Sequence, residues 1–139
     1  MTGDVTIGAL ARIQLALGTN AKYNINTSTT SSTLTAANIS GAFDVVLNLT
    51  GTLGGAANAT LPTVQALIAG LKNAVAGQSY NLRIINSSSG AFAWTVLTNT
   101  GWTLGGTMSI NQNTYRDFIV TFGAANTATL QAVGTGTQS

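Results

Sequence analysis

Residues 77–86 read Gly-Gln-Ser-Tyr-Asn-Leu-Arg-Ile-Ile-Asn, and the alternation inside them decides the fold class. Tyr80, Leu82 and Ile84 recur at every second position, which places them on one face of a β-strand with Asn81 and Arg83 on the other. The same period continues downstream through Phe92, Trp94 and Val96, then Met108 and Ile110, then Phe118, Val120 and Phe122, and finally Leu130 and Ala132. Turn chemistry separates these runs: Asn86-Ser-Ser-Ser-Gly90, Asn99-Thr-Gly101, Gly105-Gly106, Asn111-Gln-Asn113 and Gly123-Ala-Ala-Asn126. Such spacing predicts an all-β sandwich or barrel. Gly134-Thr-Gly136 and the polar end at Ser139 predict a loose C-terminus.

Upstream, Phe43, Val45, Leu47 and Leu49 alternate with Asp44, Val46, Asn48 and Thr50, a strand ended by Gly51. Gly54-Gly55 turns the chain into the one expected helix. There Pro62 sits near the first turn, Thr60 or Thr63 caps, and Val64, Leu67, Ile68, Leu71 and Val75 share a face. Gly70 weakens that helix by roughly 1 kcal/mol relative to alanine, and Gly77 is expected to stop it.

The first forty residues differ in character. Val5, Ile7, Ala9, Ala11, Ile13, Leu15 and Leu17 alternate with smaller or more polar residues, which predicts a strand; Leu10, Ile13 and Leu17 leave a helix as the competing pattern. Thr19–Ser40, with the run Thr-Ser-Thr-Thr-Ser-Ser-Thr-Leu-Thr over 27–35, predicts a long loop or an extended arm that orders against a partner. The division expected is therefore an N-terminal strand and Ser/Thr-rich arm over 1–40 and a β-sandwich domain over 41–139.

At 139 residues the chain has the length of one domain with one core. Charged residues are only 6% of it, against a usual share of about 25%. They are Asp4, Arg12, Lys22, Asp44, Lys72, Arg83, Arg116 and Asp117, with no Glu, His or Cys. A net charge of +2 spread over so few cations makes no basic stripe, so nucleic acid is not an expected partner. General acid–base catalysis, thiol chemistry and zinc binding use the residue types that are missing, so no enzyme, metal site or cofactor is expected. Without cysteines, rigidity must come from packing. Asp4 stands where a leader peptide would carry Lys or Arg, Arg12 interrupts the apolar run, and no stretch approaches the ~20 apolar residues of a spanning helix; a soluble protein without a cleaved leader is expected, and no membrane partner.

Several smaller motifs carry structure more readily than chemistry. Gly51-Thr-Leu-Gly-Gly55 echoes Trp102-Thr-Leu-Gly-Gly106, but neither has the lysine and helix opening of a phosphate-binding loop. The sequons at Asn26, Asn38, Asn48, Asn58 and Asn86 follow from a composition rich in Asn and Thr. Trp94 lies in phase with Phe92 and Val96 and is expected in the core, whereas Trp102, between Gly101 and Thr103, is the surface candidate. Arg116 and Asp117 point to opposite faces of a strand and are not expected to pair; each arginine is expected to meet a carboxylate or a backbone carbonyl.

The stretches Gly77–Asn86, Gly90-Ala-Phe-Ala-Trp-Thr-Val96, Gly101-Trp-Thr-Leu-Gly-Gly-Thr-Met-Ser-Ile110 and Thr114-Tyr-Arg-Asp-Phe-Ile-Val-Thr121 resemble a module of tailed-phage virion proteins. These include the small capsid decoration, or cement, proteins of podoviruses and the head-fibre proteins. Leu49-Thr-Gly-Thr-Leu-Gly-Gly55 and the Leu61-Pro-Thr63 helix entry also resemble it, so the likeness covers roughly residues 43–135. It implies a jelly-roll-like β-sandwich with one short helix and an extended N-terminal arm. It also implies a seat on the outer surface of an icosahedral shell at a symmetry axis, after synthesis in the host cytoplasm. The implied partners are the major capsid protein and further copies of the chain, as a dimer or trimer. The expected contact residues are Ile7, Ile13, Leu15, Tyr23, Ile25, Trp102 and Arg116. Deletion of residues 1–40 is expected to leave a folded domain that no longer binds shells. A fibre or receptor-binding module, contacting a host glycan or protein through Trp102 and residues 111–113, is the alternative. A hydrolase built on Asp44 or Asp117 finds no support in their spacing.

Overall fold

The computed structural model describes residues 21–71 and 74–138. The chain is predominantly β, with ten strands and two short helices among the described residues. The strands are β1 (Ala21–Asn26), β2 (Ser32–Thr33), β3 (Asp44–Leu49), β4 (Ala57–Thr60), β5 (Ser79–Asn86), β6 (Trp94–Leu97), β7 (Trp102–Gly105), β8 (Ser109–Ile110), β9 (Thr114–Phe122) and β10 (Ala128–Thr137). The helices are α1 (Ala36–Ile39) and α2 (Val64–Ala69). One sheet has the order β1-β3-β5-β9-β10-β7 and the other β2-β4-β6-β8. Inward residues of both, among them Leu47, Ile84 and Phe118 from the first and Ala59, Trp94 and Ile110 from the second, form one buried core.

The chain winds through the two sheets in stacked turns. It passes from β1 through β2 and α1 to β3, then through β4 and α2 to β5 and β6, and each strand lies parallel to the one a turn earlier. From the second turn to the third the offset is 37 residues throughout: Asp44 pairs with Asn81, Thr52 with Ser89 and Ala57 with Trp94. Gly51 permits the stacking of the first turn on the second, because a Cβ there would collide with the backbone of Ser28. β8, β9 and β10 then run antiparallel to a neighbour and complete the sheets, and β7 pairs in parallel with β10.

This winding departs from the jelly-roll expectation, in which neighbouring strands are antiparallel. Among the described residues five of the eight strand pairings are parallel. The alternating apolar pattern is the usual mark of antiparallel sheets with one open face. Here β3 and β5 are parallel yet keep an open outer face, so they carry the same pattern.

Four further expectations are corrected. The segment from Ala21 to Ser40 is not a free arm: β1 and β2 pair into the sheets, and Leu34 and Ile39 are fully buried. Deletion of residues 1–40 would therefore strip two core side chains and an edge strand from each sheet, and the expected boundary at residue 40 crosses a continuous core. Helix α2 ends at its C-cap, Gly70, well before Gly77, and Val75 is exposed. The C-terminal glycines are not loose, since β10 pairs with β9 as far as Thr137↔Thr114. The strand read over Val5–Leu17, with Ile7, Ile13 and Leu15, lies outside the described residues.

Neutral hydrogen bonds lock the body. Trp94, 0% exposed, donates from Nε1 to Ser88 Oγ at 2.9 Å. The buried Asn86 amide donates to the carbonyls of Phe92 and Ile110 at 3.1 and 2.9 Å, while its Oδ1 accepts from Ser88 N. Thr63 caps α2, its Oγ1 accepting from Ala66 N at 3.1 Å. Thr35 and Asn38 form a reciprocal capping box on α1.

Candidate contact face

Because successive strand residues point to opposite sides, the six-stranded sheet presents a second face away from the core. Register arranges that face in rows across the strands. Ala21, Asp44, Asn81, Ile119 and Gln131 make one row; Tyr23, Val46, Arg83, Asp117 and Gly134 the next; Ile25, Asn48, Ile85, Tyr115 and Gly136 the third.

The β1 side of the face is apolar and open. Tyr23 and Ile25 are each 58% exposed, beside the half-buried Val46 and Ile85. Tyr23 Oη accepts from Asn48 Nδ2 at 2.8 Å, which fixes the ring over β3. The middle of the face carries charge that is already partnered. Arg83 donates from Nε and Nη2 to the two carboxylate oxygens of Asp117 at 2.6 and 2.9 Å, and Asn81 Nδ2 donates to Asp44 at 2.8 Å. The bonds to Asp117 raise the Arg83 pKa above its ordinary value. The guanidinium also lies 4.0 Å from the Tyr115 ring centre. Tyr115 in turn packs where a Cβ on Gly136 would sit, so a larger residue there would displace the ring. A groove of about 350 Å³ crosses this middle region, with Val46, Ile119 and the exposed Val133 among its apolar lining.

β1's inward side is polar. Lys22 Nζ donates to the carbonyls of Ala37 and Ser40 at 2.9 and 3.1 Å, and Asn24 Nδ2 to those of Ala37 and Asn38 at 3.2 and 2.9 Å. These are the carbonyls that the end of α1 leaves without helical partners. The cation is thus engaged by the end of α1 and leaves the outer face uncharged along β1.

The structure brings Tyr23 and Ile25 together on this face and separates the other described candidates from it. Trp102 is 8% exposed, and its Nε1 donates to the Pro62 carbonyl at 2.6 Å, so it is a core anchor for the entry to α2 and not a surface platform. Its place at the start of β7 puts the indole inward, a direction the flanking Gly101 and Thr103 do not reveal. Arg116 faces inward beside Ile84 and donates to the Ser109 carbonyl at 3.0 Å. Arg83, Tyr115 and Asp117 complete the face and were not among the expected contacts; the signal was their shared parity on the polar sides of their strands, but register alone makes them neighbours.

A smaller cleft of about 190 Å³, with Phe43, Leu71, Tyr80 and Phe122 in its lining, opens elsewhere on the body. Among the described residues no group of three or more His, Cys, Asp or Glu side chains is placed to hold a metal ion, and no helix is long and apolar enough to cross a membrane. No family model, curated protein or solved structure matches the chain.

Proposed function

We propose that this chain is a structural virion protein that binds the outside of an icosahedral phage capsid and stabilises it by bridging major capsid protein subunits, with further copies of itself at a symmetry axis. The observation that carries the proposal is the outer face of the six-stranded sheet, where Tyr23 and Ile25 stand exposed, Arg83 and Asp117 pair with each other, and Asp44 accepts from the Asn81 amide. Protein interfaces favour this composition: aromatic and arginine side chains, and few unpaired charges at the centre. The likeness of residues 43–135 to phage decoration modules supplies the setting, and the lack of Glu, His and Cys favours adhesion over catalysis.

A body of this kind acts by geometry. Its contact sites come together only on an assembled lattice, so binding free energy becomes lattice stability. Each contact after the first is intramolecular, which lets modest single interfaces hold firmly. Contacts made by shape and neutral hydrogen bonds are little screened by salt. The broad outer face serves this role without a jelly-roll winding, and the role calls on no cofactor.

Co-sedimentation of the purified chain with undecorated shells tests the proposal. Expected are saturation at a copy number comparable with that of the shell protein and nearly equal retention at 0.1 and 1 M salt, ~10 and ~3 Å in screening length. Failure to sediment with shells, or a few copies per particle, would overturn it.

A further inference from the structure

The groove across the middle of the outer face lies among side chains that lean apart. Asn81 and Arg83 are alternate residues of β5 and share a face. Asn81 Nδ2 donates toward β3, to Asp44, while Arg83 donates through Nε and Nη2 toward β9, to Asp117. The other outward side chains of the lining are apolar: Val46, Ile119 and Val133. Val133 is the extra residue of the bulge between Ala132 and Gly134 and stands 55% exposed, and Gly134, opposite Asp117, adds no side chain to close that end.

The charges in this lining do not balance. Asp44 and Asp117 face one guanidinium, and Asp117 takes it with both oxygens. Among the described residues the only ion pair is that of Arg83 with Asp117. Asp44 accepts a neutral amide at Oδ1, and no described side chain bonds to its other oxygen. Lys22, on the neighbouring strand, turns to the opposite face and donates to carbonyls at the end of α1. Among the described residues the groove thus keeps one negative charge, in a chain whose net charge is +2.

We propose that this groove receives a lysine side chain of a protein partner, with the ammonium on Asp44 and the aliphatic stem along Val46, Ile119 and Val133. Charge complementarity selects a cation, and the apolar lining selects one carried on an aliphatic stem. Lysine suits the site better than arginine, whose fork pairs with both oxygens of a carboxylate; at Asp44 one oxygen already holds the Asn81 amide, and a compact ammonium needs only the other. The surroundings favour a protein as the carrier. Tyr23 stands in one row with Val46, and Ile25 in the next, both 58% exposed, so a side chain inserted in the groove brings the surface around it against them. A free amine would leave that apolar surface bare. The proposal stands apart from the capsid reading and survives its failure.

The methyl resonances of Val46, Ile119 and Val133 report on the groove. When the full chain is titrated with Nα-acetyl-lysine N-methylamide, they are expected to shift and to saturate with a Kd of about 10 mM or tighter. The norleucine analogue, which has an aliphatic stem and no ammonium, is expected to bind about fivefold more weakly, the weight of one exposed ion pair. The lysine probe is expected to lose about the same factor against Asp44→Asn, a substitution at an exposed position that keeps an acceptor for the Asn81 amide. Absence of saturation, equal affinity of the norleucine analogue, or unchanged affinity in Asp44→Asn would overturn the proposal. Lactose shifting these methyls where the lysine probe does not would also overturn it, and would give the groove to a saccharide.

Discussion

On β3, β5 and β9 the inward residues are Val45, Leu47, Leu82, Ile84, Phe118 and Val120, all buried, while one step along the same strands stand Val46, Arg83, Ile85, Tyr115 and Asp117, all partly open to solvent. The backbone and the hydrogen-bond ladders are shared by both sets. Only the direction of the Cβ differs, and with it the energetic role. Inner side chains hold the two sheets together whatever the protein meets. Outer side chains contribute little to folding and are free to suit a partner.

Substitutions from the core outward break or sharpen that division. Trp94→Ala, which empties the centre of the core and leaves Ser88 Oγ without its donor, is expected to cost about 3–5 kcal/mol in urea denaturation. Asn86→Ala, which orphans the carbonyls of Phe92 and Ile110, is expected to cost about 2–3 kcal/mol by the same measurement. Tyr80→Phe removes a 2.7 Å bond to the Ile39 carbonyl and is expected to cost about 1 kcal/mol.

Tyr80 also gives the division a pH signature. Burial raises the pKa of its phenol in the folded state, whereas the unfolded phenol ionises near its ordinary value of about 10. The Tyr80 contribution is therefore intact below pH 10 and is lost as pH rises above it. Urea midpoints at pH 8 and pH 11 should separate more in the native protein than in Tyr80→Phe; an equal separation would show that the phenol is not sealed in the core.

On the outer face the expected effects are smaller. Arg83→Ala breaks an ion pair whose side chains are 43% and 34% exposed, and water screening limits the cost to about 0.5 kcal/mol. Ile25→Asp is expected to change stability by less than about 0.5 kcal/mol, yet to weaken shell co-sedimentation about tenfold or more. A large loss of stability from Ile25→Asp, or undiminished binding, would dissolve the distinction between the two faces.

The inner face was legible in the sequence because alternation at Val45, Leu47 and Leu49, at Tyr80, Leu82 and Ile84, and at Phe118, Val120 and Phe122 states burial directly. The short strands β2 and β4 were not legible: Ser32-Thr33 and Ala57-Asn-Ala-Thr60 are small and polar, and their place is fixed by the turns stacked beside them. The stacking itself left no repeated motif, since Asp44 sits beside Asn81 and Ala57 beside Trp94. The Gly51–Gly55 and Trp102–Gly106 echo misleads for the same reason: one is a turn and the other opens as β7. The outer face was legible only at Tyr23 and Ile25. The meeting of Arg83 with Asp117 depends on the register of β5 against β9, which spans 34 residues of chain and leaves no trace in local pattern.

The uniform step between the second and third turns makes the body extensible. A layer that meets only its neighbours can be duplicated without displacing any existing side chain. One more copy spliced in would heighten the protein by roughly 4.8 Å, the spacing between adjacent strands. Relatives that differ by a whole layer would then share both ends and the core chemistry, and would vary in how far they reach.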